Sequence, residues 1–405
     1  MPPIESKQFI EDGTAAVTGF RRALADILAE VGCRPDRSRE LSRKLGLDKT
    51  LTWRVSRFVT EEDAWAAVPH IPRRPSIRIF VDAMAKHGAS DQSVTAVLEA
   101  LDEFERFVET HSGDRETLEV MAGAGASGVS AKRLAAFQKS AYQANSGIWG
   151  VSAKVQYSIC LMAPSAAKPD MVDLGIITGF VGLRRLRPDR GWAVGTIDQW
   201  DHQYASADAP VVPLDPESLV NGVPVLPRFC SSPLPPMRLV KGQGDQQRIE
   251  LERGEIGNAG ACDVVLGWKW PATASMYEST PNERGELGIH LSTPVESSIL
   301  DVFVHKSMGF AMRPEAGLYS ELPADPSYPS DGGRASPLAA ATDIIRLGTA
   351  DADIATSDVP EYGEIVRFGA EKMGIAPGEF SGFRYRLRYP PIPTIAIMKH
   401  PLLRR

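Results

Sequence analysis

Apolar residues recur at helical spacing through Phe20, Leu24, Ile27, Leu28 and Val31, and the stripe runs out at Gly32, which suits a left-handed C-terminal cap. A short amphipathic pattern follows from Arg39 to Leu45, with Ser38 as its expected N-cap and Gly46 as its stop. Another runs from Lys49 to about Val59 behind Asp48, a second expected cap. Further helical patterns cover about Glu61 to Val68, Ile77 to His87, Val94 to Glu109 and Ala131 to Ala144, and Pro69, Pro72 and Pro75 separate the first two of these. Beyond Gly150 the apolar runs shorten and are bounded by Gly or Pro. They fall at Val155 to Leu161, Leu174 to Leu183, Arg248 to Leu251, Val264 to Trp270, Gly288 to Leu291, Ile299 to His305 and Phe383 to Tyr389, and they predict strands. The Pro-rich stretches 208–236 and 323–337 predict extended connections, and 337–347 and 361–374 predict two late helices.

Composition divides the chain at the same place. The first 149 residues hold 10 Gly and 6 Pro, whereas the following 256 hold 25 of each, so turn-forming residues concentrate where the strand patterns lie. The expected fold class is α+β: an all-helical N-terminal domain (1–121), a linker and connecting helix (122–149), and a Gly/Pro-rich, mainly β region with a few helices (150–405), which two subdomains could share.

The segment SRELSRKLGLDKTLTWRVSRFV, residues 38–59, sharpens this picture. Leu41 and Leu45 lie one turn apart on the first short helix, Gly46 and Leu47 sit at the turn, and Leu51, Val55 and Phe58 form one stripe of the second. With that stripe facing in, Lys49, Thr50, Trp53 and Arg57 point outward and Arg54 flanks them. Although the chain carries a net charge of −6, residues 34–59 hold eight basic side chains against three acids, and the balance reverses between Glu99 and Glu119. A face with guanidinium and ammonium donors, a hydroxyl, an aromatic ring and a helix N-terminus has the chemistry that base edges and phosphates in a DNA major groove require.

The residues LSRKLGLDKTLTWRVSR resemble the helix-turn-helix of MarR-like and IclR-like transcriptional regulators, over about 20 of the 405 residues. Two positions depart from that pattern. Thr52 stands where those families usually bury Val or Ile, and helical patterns follow Val59 in place of a β-hairpin wing. The resemblance implies a sequence-specific regulator of transcription, with a recognition helix at 49–59 and double-stranded DNA as partner. Arg39, Arg43, Lys44, Lys49, Thr50, Trp53, Arg54 and Arg57 are the candidate contacts. For Trp53 two readings stand side by side, contact with DNA or packing against a neighbouring element. A small-molecule effector and a homodimer complete the expected partners. The alternatives are an enzyme with an unrecognised active site in the C-terminal region, and a scaffold whose basic face meets a protein.

Other signals change little. Gly123 to Gly128 spells G-x-G-x-x-G, but no buried strand precedes it and no acid occurs between Glu119 and Asp170 to hold a ribose, so a linker is expected. Arg184, Arg185, Arg187 and Arg190 end an apolar run and read as either an anion clasp or a solvated hairpin end. His202, His290 and His305 make no metal spacing, and Cys33, Cys160, Cys230 and Cys262 form no C-x-x-C pair. Neither a cofactor nor a catalytic motif is expected. The acidic N-terminal segment lacks a secretion signal, and the apolar run near Val172 to Leu183 is short for a membrane span, so a soluble, cytoplasmic protein is expected.

Overall fold

The computed structural model describes residues 6–124, 131–188, 191–197, 211–241, 247–279, 283–322, 337–351 and 354–405. The chain forms two compact units, Met1–Ala136 and Phe137–Arg405. Helices come first and strands dominate afterwards, so the protein is α+β.

The first unit contains α1 (Ser6–Glu30), α2 (Ser38–Leu45), α3 (Lys49–Thr60), α4 (Ala64–Ala67), a 3-10 turn at Val68–His70, α5 (Arg74–Lys86), α6 (Asp91–His111) and α7 (Arg115–Ala124). α1 and α6 pack along each other and supply the spine of one apolar core, in which Phe20, Leu24, Ile27, Phe58, Phe80 and Phe104 are fully enclosed. Phe20 meets Phe58 at 5.4 Å and Phe104 at 6.3 Å between ring centroids. Gly13 admits the rings of Trp65 and Phe107 so closely that any Cβ there would collide with them. α5 starts before Ile77 because Pro75 suits a first helical turn and Arg74 is pinned to Asp102 and Glu105 of α6.

α8 (Ala131–Trp149) leads into the strands of the second unit: β1 (Val151–Pro164), β2 (Met171–Arg185), β3 (Trp192–Ile197), β4 (Val212–Pro213), β5 (Leu219–Val220), β6 (Val223–Pro224), β7 (Met237–Lys241), β8 (Gln247–Leu251), β9 (Cys262–Ser275), β10 (Arg284–Leu291), β11 (Val295–His305), β12 (Glu315–Ser320), β13 (Pro337–Leu338) and β14 (Ile344–Thr349). Helix α9 (Tyr362–Lys372) and strands β15 (Phe380–Arg388) and β16 (Thr394–Pro401) complete it. The main sheet has the order β14-β15-β11-β1-β2-β9-β4. Its neighbours are antiparallel except at the centre, where β1 runs parallel to β11 with Tyr157 opposite Ile299. One core, with Tyr157, Ile177 and Phe303, is closed by α9. Another, with Leu300, Val302 and Tyr385, includes Leu287, Leu318 and Met398 of the smaller sheet β10-β16-β12-β13. Both faces of β11 are therefore covered, as its nearly continuous burial shows.

Inside this sheet lies a charged group. Asp301 on β11 accepts from Arg384 Nε at 2.9 Å and from Arg384 Nη2 at 2.8 Å, and Tyr362 on α9 donates its hydroxyl to the same carboxylate. The Arg384 guanidinium lies over the Tyr362 ring, 4.9 Å from its centroid. Burial pushes the Asp301 carboxyl upward, and the bonds from Arg384 and Tyr362 oppose that push.

The structure corrects several expectations. Residues 337–347 form no helix, because Leu338 pairs with Leu318 and the β-branched Ile344 and Ile345 join the edge of the main sheet opposite Tyr385 and Arg384. The described part of the 208–236 connection, from 211 onward, is broken by β4, the β5-β6 pair and two 3-10 turns. The expectation for 323–337 lies outside the described residues up to 336. Ser38 does not cap α2: it is the first helical residue, Arg37 occupies the cap position, and no side chain caps that end. Of the G-x-G-x-x-G run, Gly123 and Ala124 end α7 and the remainder lies outside the described residues.

Candidate nucleic-acid interface

α2 and α3 meet at a short turn whose geometry follows from three residues. Gly46 adopts φ 67°, which a side chain would strain, and its N–H donates to Ser42 O. Ser42 Oγ donates to Leu47 O at 2.7 Å across the turn. Asp48 then caps α3, accepting from Thr50 N at 2.7 Å and Leu51 N at 3.2 Å, and these bonds hold its carboxyl below the usual range.

The packed side of α3 consists of Thr52, Val55, Ser56 and Phe58, with Leu51 half-buried. The inward stripe is thus rotated toward Thr52 and Ser56 relative to the expected Leu51, Val55 and Phe58. Local bonds make that rotation tolerable. The Thr52 hydroxyl lies 3.2 Å from both Asp48 O and Lys49 O, and Ser56 Oγ donates to Pro35 O at 2.5 Å. A threonine at position 52 can therefore stand where an aliphatic residue was expected.

Lys49, Thr50, Trp53, Arg54 and Arg57 are all exposed on α3, and Arg39, Arg43 and Lys44 are exposed on α2. Their chemical situations differ. Lys44 Nζ donates to Val31 O at 2.7 Å and Gly32 O at 3.3 Å, neutralising the C-terminal end of α1. Arg57 lies 3.9 Å from Glu61, a loose helical pair open to solvent. Among the described residues, Arg39, Arg43, Lys49 and Arg54 have no carboxylate within salt-bridge distance. Trp53 remains 47% exposed while its ring meets His70 edge-on at 5.6 Å, so it partly packs and still presents one face outward.

Three residues beside this face carry no helix-turn-helix signature in the sequence. They are His70 in the 3-10 turn, Arg73 at the N-cap of α5, and Arg115 at the start of α7. Arg115 is mostly enclosed, lies 5.5 Å from the Phe104 ring centroid, and donates to Ile71 O at 2.5 Å and Pro72 O at 3.3 Å. Burial lowers its pKa; Glu119 counters this, and the like charges of Arg73 and Arg54 lower it further.

The other sequence candidates are dispersed. Arg184 donates to Ser152 Oγ at 3.1 Å, Arg185 is buried, and Arg187 donates to Gly147 O at 2.7 Å. Arg184 and Arg187 are thus bonded within the second unit and Arg185 is enclosed in it, so the three form no open clasp, while residues 186–188 are exposed as expected of a solvated end and Arg190 lies outside the described residues. His290 pairs with Glu321, and His305 bonds to Ser307 Oγ at 2.8 Å, while His202 lies outside the described residues. Among the described residues no three metal-ligating side chains converge, and no helix is long and apolar enough to cross a membrane. The second unit does contain an apolar cavity of about 230 Å³, bordered by Thr196, Val212, Pro213, Leu219, Trp268 and Trp270. No protein-family model matches the chain, and no curated protein matches it.

Proposed function

We propose that this protein is a sequence-specific DNA-binding regulator that lays α3 in the major groove of double-stranded DNA. The observation that carries the reading is the two-sidedness of α3. Thr52, Val55, Ser56 and Phe58 fix one side in the core, while Lys49, Thr50, Trp53, Arg54 and Arg57 stand exposed on the other. A recognition helix needs that division, since rigid support on one face sets the reach of donors on the opposite face. In this reading Arg54, which has no carboxylate within salt-bridge distance among the described residues, reads a base edge, and Arg39 and Arg43 of α2 contact the backbone. The second unit supplies response or assembly, through a small-molecule effector or homodimerisation, and its apolar cavity suits an uncharged effector.

The test is selection of duplexes from a random pool by the full chain, followed by affinity measurements with Arg54→Ala and Arg57→Ala. Enrichment of one sequence, with a loss of about 1–3 kcal/mol for a residue that makes a bidentate base contact, supports the proposal. Absence of enrichment, or affinity unchanged in both variants, overturns it.

A further inference from the structure

The arginines at 73 and 74 are adjacent in sequence and opposite in circumstance. Arg74 is consumed by Asp102 and Glu105 of α6. Arg73 is exposed, and among the described residues no carboxylate lies within salt-bridge distance of it. The segment that carries it is held firmly from two sides. From below, Arg115 of α7 bonds the carbonyls of Ile71 and Pro72. From the side of the candidate interface, α3 packs on the 3-10 turn and Trp53 meets the His70 ring at 81°. A guanidinium without a carboxylate partner therefore projects from a rigid turn beside the exposed face of α3. Arg54 and Arg73 both act on Arg115 as like charges, and of the two carboxylates that act on it Glu105 is already bound to Arg74 while Glu119 is the larger counter-charge. Exposed positive charge on a fixed backbone is the usual requirement for holding a phosphodiester.

We propose that the turn His70–Arg73 is a second DNA-contacting element, a phosphate clamp in which Arg73 holds the sugar-phosphate backbone flanking the groove that α3 enters. It rests on the reading of α3 as a recognition helix and assigns a contact beyond that helix. The turn does the work of a wing without being a hairpin. Arg115 is its positioning residue: by bonding two consecutive carbonyls it fixes the direction in which Arg73 leaves the chain. A phosphate contact carries no sequence information, so Arg73 contributes equally to all duplexes, whereas Arg54 contributes to one.

The experiment uses the full chain with an enriched duplex and a scrambled duplex across a salt series, comparing Arg73→Ala, Arg73→Glu and Arg54→Ala. Arg73→Ala is expected to weaken both duplexes by the same factor and to reduce the slope of log affinity against log salt by about one. Arg73→Glu should exceed it in both respects, and Arg54→Ala should act chiefly on the enriched duplex. Affinity and slope unchanged in both Arg73 variants, while Arg54→Ala still discriminates, would overturn the clamp and leave the recognition helix standing. A loss with Arg73→Ala confined to the enriched duplex would also overturn it, by making Arg73 a base reader. Failure of the unaltered chain to bind either duplex would overturn both readings.

Discussion

In the first unit the buried polar side chains among the described residues are Thr52 and Ser56, and each bonds a nearby backbone carbonyl. The second unit encloses Asp301, Arg384, Arg185 and His400 together with a series of hydroxyls, several of which, such as Tyr157 Oη and Ser298 Oγ, have no hydrogen-bond partner among the described residues. Arg115 aside, the helical unit thus keeps its ions outside the core, and the sheet unit encloses several of its own. The contrast shows why arginines of the two units mean different things. Arg384 is held by Asp301 and Tyr362, and Arg187 by a carbonyl, whereas Arg39, Arg43, Arg54 and Arg73 stand exposed with no carboxylate within salt-bridge distance among the described residues.

Separating the two kinds of arginine by mutation gives the largest expected effect. Arg384→Ala leaves Asp301 enclosed without its cationic partner, so it should destabilise the second unit by about 3–5 kcal/mol. Urea unfolding followed by hydrogen exchange on β11 and β15 reads that loss. Replacing the trio together with apolar residues (Asp301→Leu, Arg384→Met and Tyr362→Phe) should recover most of it, and failure to recover would mean that the network stabilises the sheet beyond satisfying its own charges.

The next effect is one of pH. Burial, assisted by the charge of Arg284, lowers the pKa of His400 to about 4 from an ordinary 6.5. Between those values the unfolded chain binds a proton that the folded chain refuses, so stability falls as pH drops through that window, by up to about 3 kcal/mol. Hydrogen exchange at pH 7 and pH 4.5 should show protection declining more steeply in β16 than in α6, and His400→Gln should flatten the difference.

Smaller again is Arg54→Ala, expected to cost about 1–3 kcal/mol in binding the enriched duplex while thermal unfolding stays nearly unchanged. A comparable loss of stability would place Arg54 among the structural arginines and erase the distinction between the units at that position. The smallest effect belongs to Asp48→Ala, which frees two N–H groups at the start of α3. A modest drop in protection of α3 is expected, restored by Asp48→Asn, whose side chain can accept the same bonds.

The helical unit was legible because its signals are local. The Gly46 turn, the Asp48 cap and the pairing of Leu41 and Leu45 with Val55 and Phe58 lie within about 20 residues and are visible in one stretch of sequence. The rotation of α3 toward Thr52 and Ser56 was not, since it depends on Pro35 presenting a carbonyl from outside the helix. In the second unit, β1, β2, β9 and β11 were read from their apolar runs, but β3, β7, β12 and β16 were missed. Those four are short or carry charged residues, and β16 follows Pro393, so pairing with distant partners determines them more than local pattern does. Asp301 and Arg384 stand 83 positions apart, and no periodicity links them. Of the candidate interface, the exposed face of α3 was read correctly as a surface. The Arg115 brace under Ile71 and Pro72 was invisible for the same reason of separation, and the juxtaposition of Trp53 with His70 because no periodicity links a helix to the turn packed on it.

The parallel pairing of β1 with β11 sets an order of events during synthesis. Strand β1 ends at Pro164, and its partner does not begin until Val295, so the centre of the main sheet cannot close until some 130 further residues have left the ribosome. Strand β15, which covers the other edge of β11, emerges later still. The helical unit, whose last helix ends at Ala124, can finish folding long before that, while β1 waits with its β11 edge open even after β2 and then β9 have joined the sheet. A nascent chain stalled between the end of β2 and Val295 would therefore carry a completed basic face and, in its second unit, an unfinished, adhesive sheet.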